Sequence, residues 1–292
     1  MTTTPTRPRP GGPATLAGRT VARVGYGAMQ LRTGPDDDAV AVLRRAVELG
    51  VDHVDTAAFY GDGTVNRRLR AALAPYPEHL VVVTKVGATA NPGGEVELRL
   101  AQRPEELRAE VEANLRTLGV DRLDVVNLRR ADARPGLVAE GDQVVDMDDQ
   151  LATLVALRDA GAIGAIGLST VSADQLRRAL STGIVCVQNA YSLVDRSGED
   201  VRARCRAEGV AWVPYFPLGS GFPGTRQVAG EPAVVDVARR LGATPAQVGL
   251  AWLLGRDALL IPGTRSVAHL EENVAAGAVA LDDDALAALE RI

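Results

Sequence analysis

The chain has 292 residues, 46% of them hydrophobic and 24% charged, which is enough to bury a full core in one or two domains. A net charge of −5, with arginines scattered among Asp and Glu rather than gathered in a run, points away from nucleic acid and from an anionic membrane surface. No apolar stretch approaches the roughly 18 residues of a membrane-spanning helix. The opening MTTTPTRPRPGG is polar and Pro-rich and lacks the apolar segment of a signal peptide. Residues 1–14 therefore read as a disordered tail, residues 15–292 as a single domain, and the protein as cytoplasmic. Cys186 and Cys205 belong to no CxxC or Cys/His cluster, so they are expected as buried thiols rather than as a disulfide or metal ligands.

From residue 23 onward, strand-like and helix-like segments alternate. Arg23–Met29 reads as a first strand and Asp37–Leu49 as a helix, with Val40, Val42, Leu43, Ala46 and Val47 at helical spacing and Gly50 as the stop. His53–Ala57 is the second strand, followed by the helix Val65–Leu73. Leu80–Val86 is the third, followed by Pro104–Leu118 with proline in its first turn. Leu123–Leu128 and the helix Asp146–Ala160 come next, then Ala165–Ser169 with Val171–Leu180. Val185–Asn189 precedes Glu199–Glu208. Ala211–Phe216 precedes two helices, Ala233–Leu241 and Pro245–Leu254. Leu259–Pro262 is the eighth strand, and Val267–Ala276 and Asp284–Ile292 are helical. Eight apolar strands alternating with helices predict a (β/α)8 barrel with extra C-terminal helices and long loops at its mouth. The competing doubly wound sheet lacks its opening strand–GxGxxG–helix. The GSGFPG at Gly219–Gly224 holds a proline and opens no helix, so it reads as a loop at the barrel mouth.

In such a barrel the site lies at the carboxyl ends of the strands. Lys85, at the end of the third, is the only lysine of the chain; the other 31 basic residues are arginine. Strand alternation puts Val81, Val83 and Lys85 on one face, and His53 and Asp55 on one face of the second strand. If both faces point inward, an ammonium and a carboxylate meet at the mouth, with the phenol of Tyr60 on the next loop. An ammonium beside a phenol favours the phenolate and lowers its pKa. The trio then makes a tuned acid for an oxygen that gains negative charge, as carbonyl reduction by hydride requires. The same spacing is also met by a structural Asp–Lys pair with a surface tyrosine nearby.

VDTAAFYG at Val54–Gly61 resembles the signature of aldo-keto reductases, and TKVG at Thr84–Gly87 is similar to the same family's lysine strand. GYGAMQL, IGLSTVS, VQNAYS, YFPLGSG, TPAQVGLAWLL and IPGTRSVAHLEEN follow in family order, so the resemblance covers roughly residues 15 to 290. It implies NADP(H) as cofactor and a small carbonyl compound as substrate, in a monomer or weak homo-oligomer. Tyr60 is implied as general acid, with Asp55 and Lys85 as its tuning pair. Ser169 and Gln188 would hold the nicotinamide carboxamide, Tyr215 would stack on the ring, and the backbone of Leu218–Gly221, including Ser220, would wrap the pyrophosphate. Gly263, Thr264, Arg265, His269 and Asn273 would hold the adenosine end, with Arg265 and His269 facing a 2′-phosphate. Gly27, Met29, Thr170, Phe216 and Glu272 complete the implied cofactor contacts.

Two positions depart from the family pattern. Thr170 stands where an asparagine is usual. At the end of the fourth strand NLRR puts Arg129 where the family places a histidine, and the three histidines, His53, His79 and His269, lie elsewhere in the sequence. A guanidinium donates hydrogen bonds but cannot act as a base. Arg129 therefore implies retained reductase chemistry with an anionic or phenolate-bearing substrate, and the wording resembles a bacterial branch that includes pyridoxal reductases. Three other readings stay open: reduction of a secondary-metabolite carbonyl, a nucleotide-binding regulatory subunit with weak turnover, and a Schiff-base lyase using Lys85 as nucleophile.

Overall fold

The computed structural model describes residues 7–132, 136–219 and 225–292. Its centre is a parallel sheet of β1 (Tyr26–Gly27), β2 (His53–Asp55), β3 (Val81–Val86), β4 (Leu123–Arg129), β5 (Ile163–Ser169), β6 (Ile184–Gln188) and β7 (Ala211–Trp212), each hydrogen-bonded to the next in chain order. The eighth position is filled by Ala258–Leu260, which closes the barrel through two parallel bridges, Trp212 to Ala258 and Val24 to Leu260. Leu259 N–H donates to Trp212 O and Leu260 N–H to Arg23 O, both at 2.8 Å. The eight-stranded reading of the sequence holds, with strands one, two, seven and eight shorter than expected. The first predicted strand ends early because Ala28–Arg32 winds into a 3₁₀ turn. The seventh reaches its predicted end only as a bridge from Ala190 to Tyr215.

Alternation along the strands sorts the apolar residues into two cores. Val81 and Val83 of β3, Val125 of β4 and Cys186 of β6 fill the barrel interior with Val213, Leu259 and Ile261. Val54, Val86, Val126, Ile166 and Val187 face outward and pack under the surrounding helices. These include Asp36–Glu48, Thr64–Leu73, Pro104–Leu118, Met147–Asp159, Ala173–Ala179 and Glu199–Glu208, then Pro232–Leu241 and Pro245–Leu254, and finally Val267–Ala275 and Asp283–Glu290. Their ends follow local rules. Ser172 and Thr244 cap their helices in reciprocal capping boxes with Gln175 and Gln247. Gly119 takes the left-handed conformation that ends Pro104–Leu118.

Two hairpins escaped the sequence reading. Pro13–Leu16 pairs with Arg19–Ala22, and its Leu16 and Val21 plug the amino end of the inner core. Ala88–Ala90 pairs with Leu98–Leu100 inside what reads as a loop. Residues 7–14, expected to belong to a disordered tail, are instead held against the barrel. Pro10 O accepts from Val24 N–H at 3.0 Å, Gly12 O accepts from Arg23 N–H at 2.9 Å, and Arg7 pairs with the buried Asp52 at 2.8 Å. A buried carboxylate draws in a cation, and composition alone does not reveal that partner. Residues 1–6 lie outside the described ones. No helix among the described residues is long and apolar enough to cross a membrane.

Where β1 meets the eighth position, the backbones approach closely. A Cβ on Gly27 would lie 2.3 Å from Ile261 O. Gly27→Ala should therefore destabilise the protein by about 3 kcal/mol through overpacking. Gly230→Ala, where a Cβ meets nothing within 4 Å, should change stability by less than about 0.5 kcal/mol. Urea unfolding of the two variants checks both.

Candidate active site

The carboxyl ends of β1 to β6 bring Gly27, Asp55, Lys85, Arg129, Ser169 and Gln188 to one mouth. Register places Gly27 beside Asp55, Arg129 beside Ser169, and Ser169 beside Gln188. Lys85 shares a face with the inward Val81 and Val83, so its stem runs along the apolar interior and its ammonium emerges where the packing ends. There Nζ is ion-paired with Asp55 Oδ1 and donates to Thr56 O at 3.2 Å. The other carboxylate oxygen, Oδ2, accepts from Gln188 Nε2 at 2.7 Å. Asp55 and Lys85 are 4% and 5% exposed, so this charge pair is shielded from water and fully hydrogen-bonded on the carboxylate side. Burial would lower the Lys85 pKa, but Asp55 and the neighbouring Tyr60 outweigh it and hold the ammonium above its usual value.

Tyr60 sits on the turn after β2, its ring edge-on to Phe59 at 5.1 Å. Lys85 Nζ lies 5.2 Å from its centroid. The sequence reading expects this ammonium to lower the phenol pKa. Lys85 and Arg129 do pull it down, yet burial is the larger effect and leaves the phenol above its ordinary value. The group is therefore protonated at neutral pH.

Arg129 ends β4 half-buried. Its Nη1 is buried without a hydrogen-bond partner, and among the described residues no carboxylate pairs with it. Burial lowers its pKa, with the phenols of Tyr215 and Tyr60 acting the other way. Arg130, next in sequence, is by contrast locked to Asp132 at 2.7 Å.

Beyond β5 and β7 the backbone is strained. Thr170 and Phe216 adopt φ of 59° and 57°, a region costly for side chains with a Cβ and frequent at functional sites. Asn189 braces the first of these turns, accepting from Val171 N–H at 3.0 Å and donating to Val171 O at 2.7 Å. The hydroxyls of Thr170 and Tyr215 lie 3.2 Å apart, and Tyr215 meets Phe216 edge-on at 5.0 Å. Gln188 Oε1 is buried and has no partner.

Beside the mouth lies a cleft of about 440 Å³ whose wall includes Gln30, Thr33, Asp38, Thr264, Arg265 and His269. Arg265 Nη1 donates to Thr33 Oγ1 at 3.1 Å, Gln30 Nε2 to Gly263 O at 3.0 Å, and Tyr26 Oη to Thr264 O at 2.6 Å. The sequence reading does not single out Gln30, Thr33 or Asp38: the first two fall between the expected strand Arg23–Met29 and helix Asp37–Leu49, and the third lies in the first turn of that helix. Not every residue implied as a cofactor contact reaches this wall. Glu272 instead accepts from Thr244 Oγ1 at 2.5 Å, Asn273 is buried, and Met29 stands exposed on the 3₁₀ turn. Leu218 O accepts from Val228 N–H at 3.1 Å. Ser220, with Gly221 and Phe222, lies outside the described residues.

The sequence model of the Aldo/keto reductase family matches residues 23–292. The chain is 43% identical over 288 residues to pyridoxine 4-dehydrogenase of Escherichia coli, covering 95% of this chain and 97% of that protein. It is 30% identical to probable aldo-keto reductase 1 of Glycine max, covering 90% and 83% of the two chains. Among solved structures it resembles an aldo/keto reductase from Klebsiella pneumoniae in complex with NADP and acetate, with a TM-score of 0.77 and 24% identity over 93% of this chain and 91% of that one. It also resembles the glycerol dehydrogenase of Gluconobacter oxydans, with a TM-score of 0.80 and 22% identity over 96% and 94%. A (β/α)8 barrel with Asp55, Tyr60 and Lys85 gathered at its carboxyl mouth, matched by the family over nearly its whole length, makes this chain a member of the aldo/keto reductase family.

Proposed function

We propose that this enzyme reduces an aldehyde with NADPH, and that the aldehyde is of the pyridoxal type, a carbonyl next to an ionisable phenol oxygen. The observation that carries the substrate assignment is Arg129, a guanidinium at the mouth with no carboxylate partner among the described residues and a buried N–H left unsatisfied. An unpaired buried charge is costly, so the pocket favours a ligand that brings a single negative charge. The relative named pyridoxine 4-dehydrogenase, at 43% identity, supports the same reading.

Several features fit the cofactor. The orphaned Oε1 of Gln188 is an acceptor suited, with the Ser169 hydroxyl, to a carboxamide. Tyr215 offers a ring face beside it. Arg265, which has no ion pair among the described residues, shares its cleft with His269 and suits a 2′-phosphate. Bound NADPH supplies the hydride that adds to the carbonyl carbon. Tyr60 donates its proton to the carbonyl oxygen, and the Lys85 ammonium stabilises the phenolate left behind until solvent reprotonates it. Asp55 keeps that ammonium charged and aimed. The same pairing argues against a Schiff-base lyase, since a protonated lysine has no lone pair to attack with. Two buried free cysteines and a need for NADPH support a cytoplasmic location.

Tyr60→Phe should cut kcat by roughly 10²- to 10⁴-fold. Lys85→Arg, with a planar cation too large for the slot, should come close to it. Neither change should weaken NADPH binding, which fluorescence quenching measures. Arg129→Gln should raise KM for pyridoxal while barely affecting a neutral aldehyde of similar size; equal effects on the two would overturn the substrate assignment. Arg265→Ala should weaken NADPH by about 1.5–3 kcal/mol, the worth of a charged hydrogen bond, and leave NADH affinity unchanged in the same titration.

A further inference from the structure

On the helix side of β2 and β3, directly behind the Asp55–Lys85 pair, lie four fully buried polar side chains that neither cofactor nor substrate accounts for. They are Thr56, Asn66, Thr84 and Asn114, each 0% exposed. Their neighbours in this layer are apolar, among them Val54, Leu69, Val86 and Leu107. Polar groups in such a place must find partners, and an apolar layer of the same shape would hold the helices equally well.

These four bond one another in sequence. Thr56 Oγ1 donates to Asn66 Oδ1 at 2.7 Å. Asn66 Nδ2 donates to Asn114 Oδ1 at 3.0 Å and to Thr117 Oγ1 at 2.9 Å. Thr84 Oγ1 donates to the same Asn114 oxygen at 2.6 Å. Asn114 Nδ2 then reaches Glu110 O at 2.9 Å and Lys85 O at 3.4 Å. Both ends of the network therefore touch the residues that hold the charge pair. One end is Thr56, the neighbour of Asp55, whose carbonyl accepts from Lys85 Nζ at 3.2 Å. The other is the backbone of Lys85 itself.

We propose that Thr56, Asn66, Thr84 and Asn114 are positioning residues that fix the Thr56 carbonyl and the Lys85 backbone, and so hold the ammonium between Asp55 and Tyr60. The proposal rests on Tyr60 being the acid of the reaction. The titratable and charged groups facing the phenol and ammonium are Asp55 from β2, Arg129 from β4 and Cys186 from β6, with Tyr215 after β7 close to Arg129. Of these, the lysine is the one the network governs. When it is loosened, its downward pull on the phenol weakens, so the reduction slows and its basic limb moves to higher pH.

The test is the pH profile of kcat for NADPH-dependent aldehyde reduction in Thr56→Val, Thr84→Val, Thr56→Ser and Tyr60→Phe. The valine variants keep the shape and remove a hydroxyl. Each should lose about 10-fold in kcat, a typical effect of removing an outer hydrogen-bond partner, and shift the basic limb upward with NADPH affinity unchanged. Thr56→Ser should restore both. Leu154→Ala, which opens a cavity in the same outer core away from the network, should lower the melting temperature and leave the profile in place. A folded valine variant whose profile overlays the parent's overturns the proposal. So does failure of both valine variants to fold while Thr56→Ser folds, because the network then serves stability alone. Turnover surviving in Tyr60→Phe overturns the acid assignment and the network with it, whereas a dead Tyr60→Phe beside unshifted valine variants overturns the network alone.

Discussion

A carboxylate and an ammonium buried side by side constrain the rest of this site. Taking two charges out of water is tolerable only when each is paired and the remaining lone pairs are met. Asp55 and Lys85 meet that demand with Gln188 on one side and the Thr56 carbonyl on the other. The pair spans two adjacent strands and recruits a third, β6, so it needs the barrel to be closed and in register. It also fixes where a phenol must stand to feel the cation, and Tyr60 stands there.

The cations around the mouth divide by whether they are already satisfied. Lys85 and Arg130 are locked to carboxylates. Arg129 and Arg265 have none among the described residues. Paired charges hold the architecture and tune the phenol; unpaired ones leave room for negative charge arriving from outside. In the proposed reaction one such charge belongs to the cofactor and the other to the substrate.

Much of this was legible before folding. Alternation in LVVVTKVG puts Lys85 inward, and the lone lysine among 31 arginines marks its position. VDTAAFYG supplies the partners, and the helix–strand rhythm gives the barrel. What failed did so for local reasons. Arg23–Met29 looks uniformly strand-like, yet the chain turns at Ala28 to build the cleft wall of Gln30 and Thr33. The sequence also expected a lowered phenol pKa, since the neighbour's charge could be read and the degree of burial could not.

The amino-acid sequence by itself determined the barrel and the family and singled out Asp55, Tyr60 and Lys85 as candidates, because periodicity and residue chemistry are properties of short stretches. Only the tertiary structure decided which groups are paired. It locked Glu272 to a helix cap, anchored residues 7–12 to the barrel, and joined Thr56, Asn66, Thr84 and Asn114 behind Lys85. Hydrogen-bond satisfaction and burial depend on residues tens of positions apart, so no local pattern encodes them. The lone lysine is conspicuous in the sequence, but its partner, Asp55, stands 30 residues away.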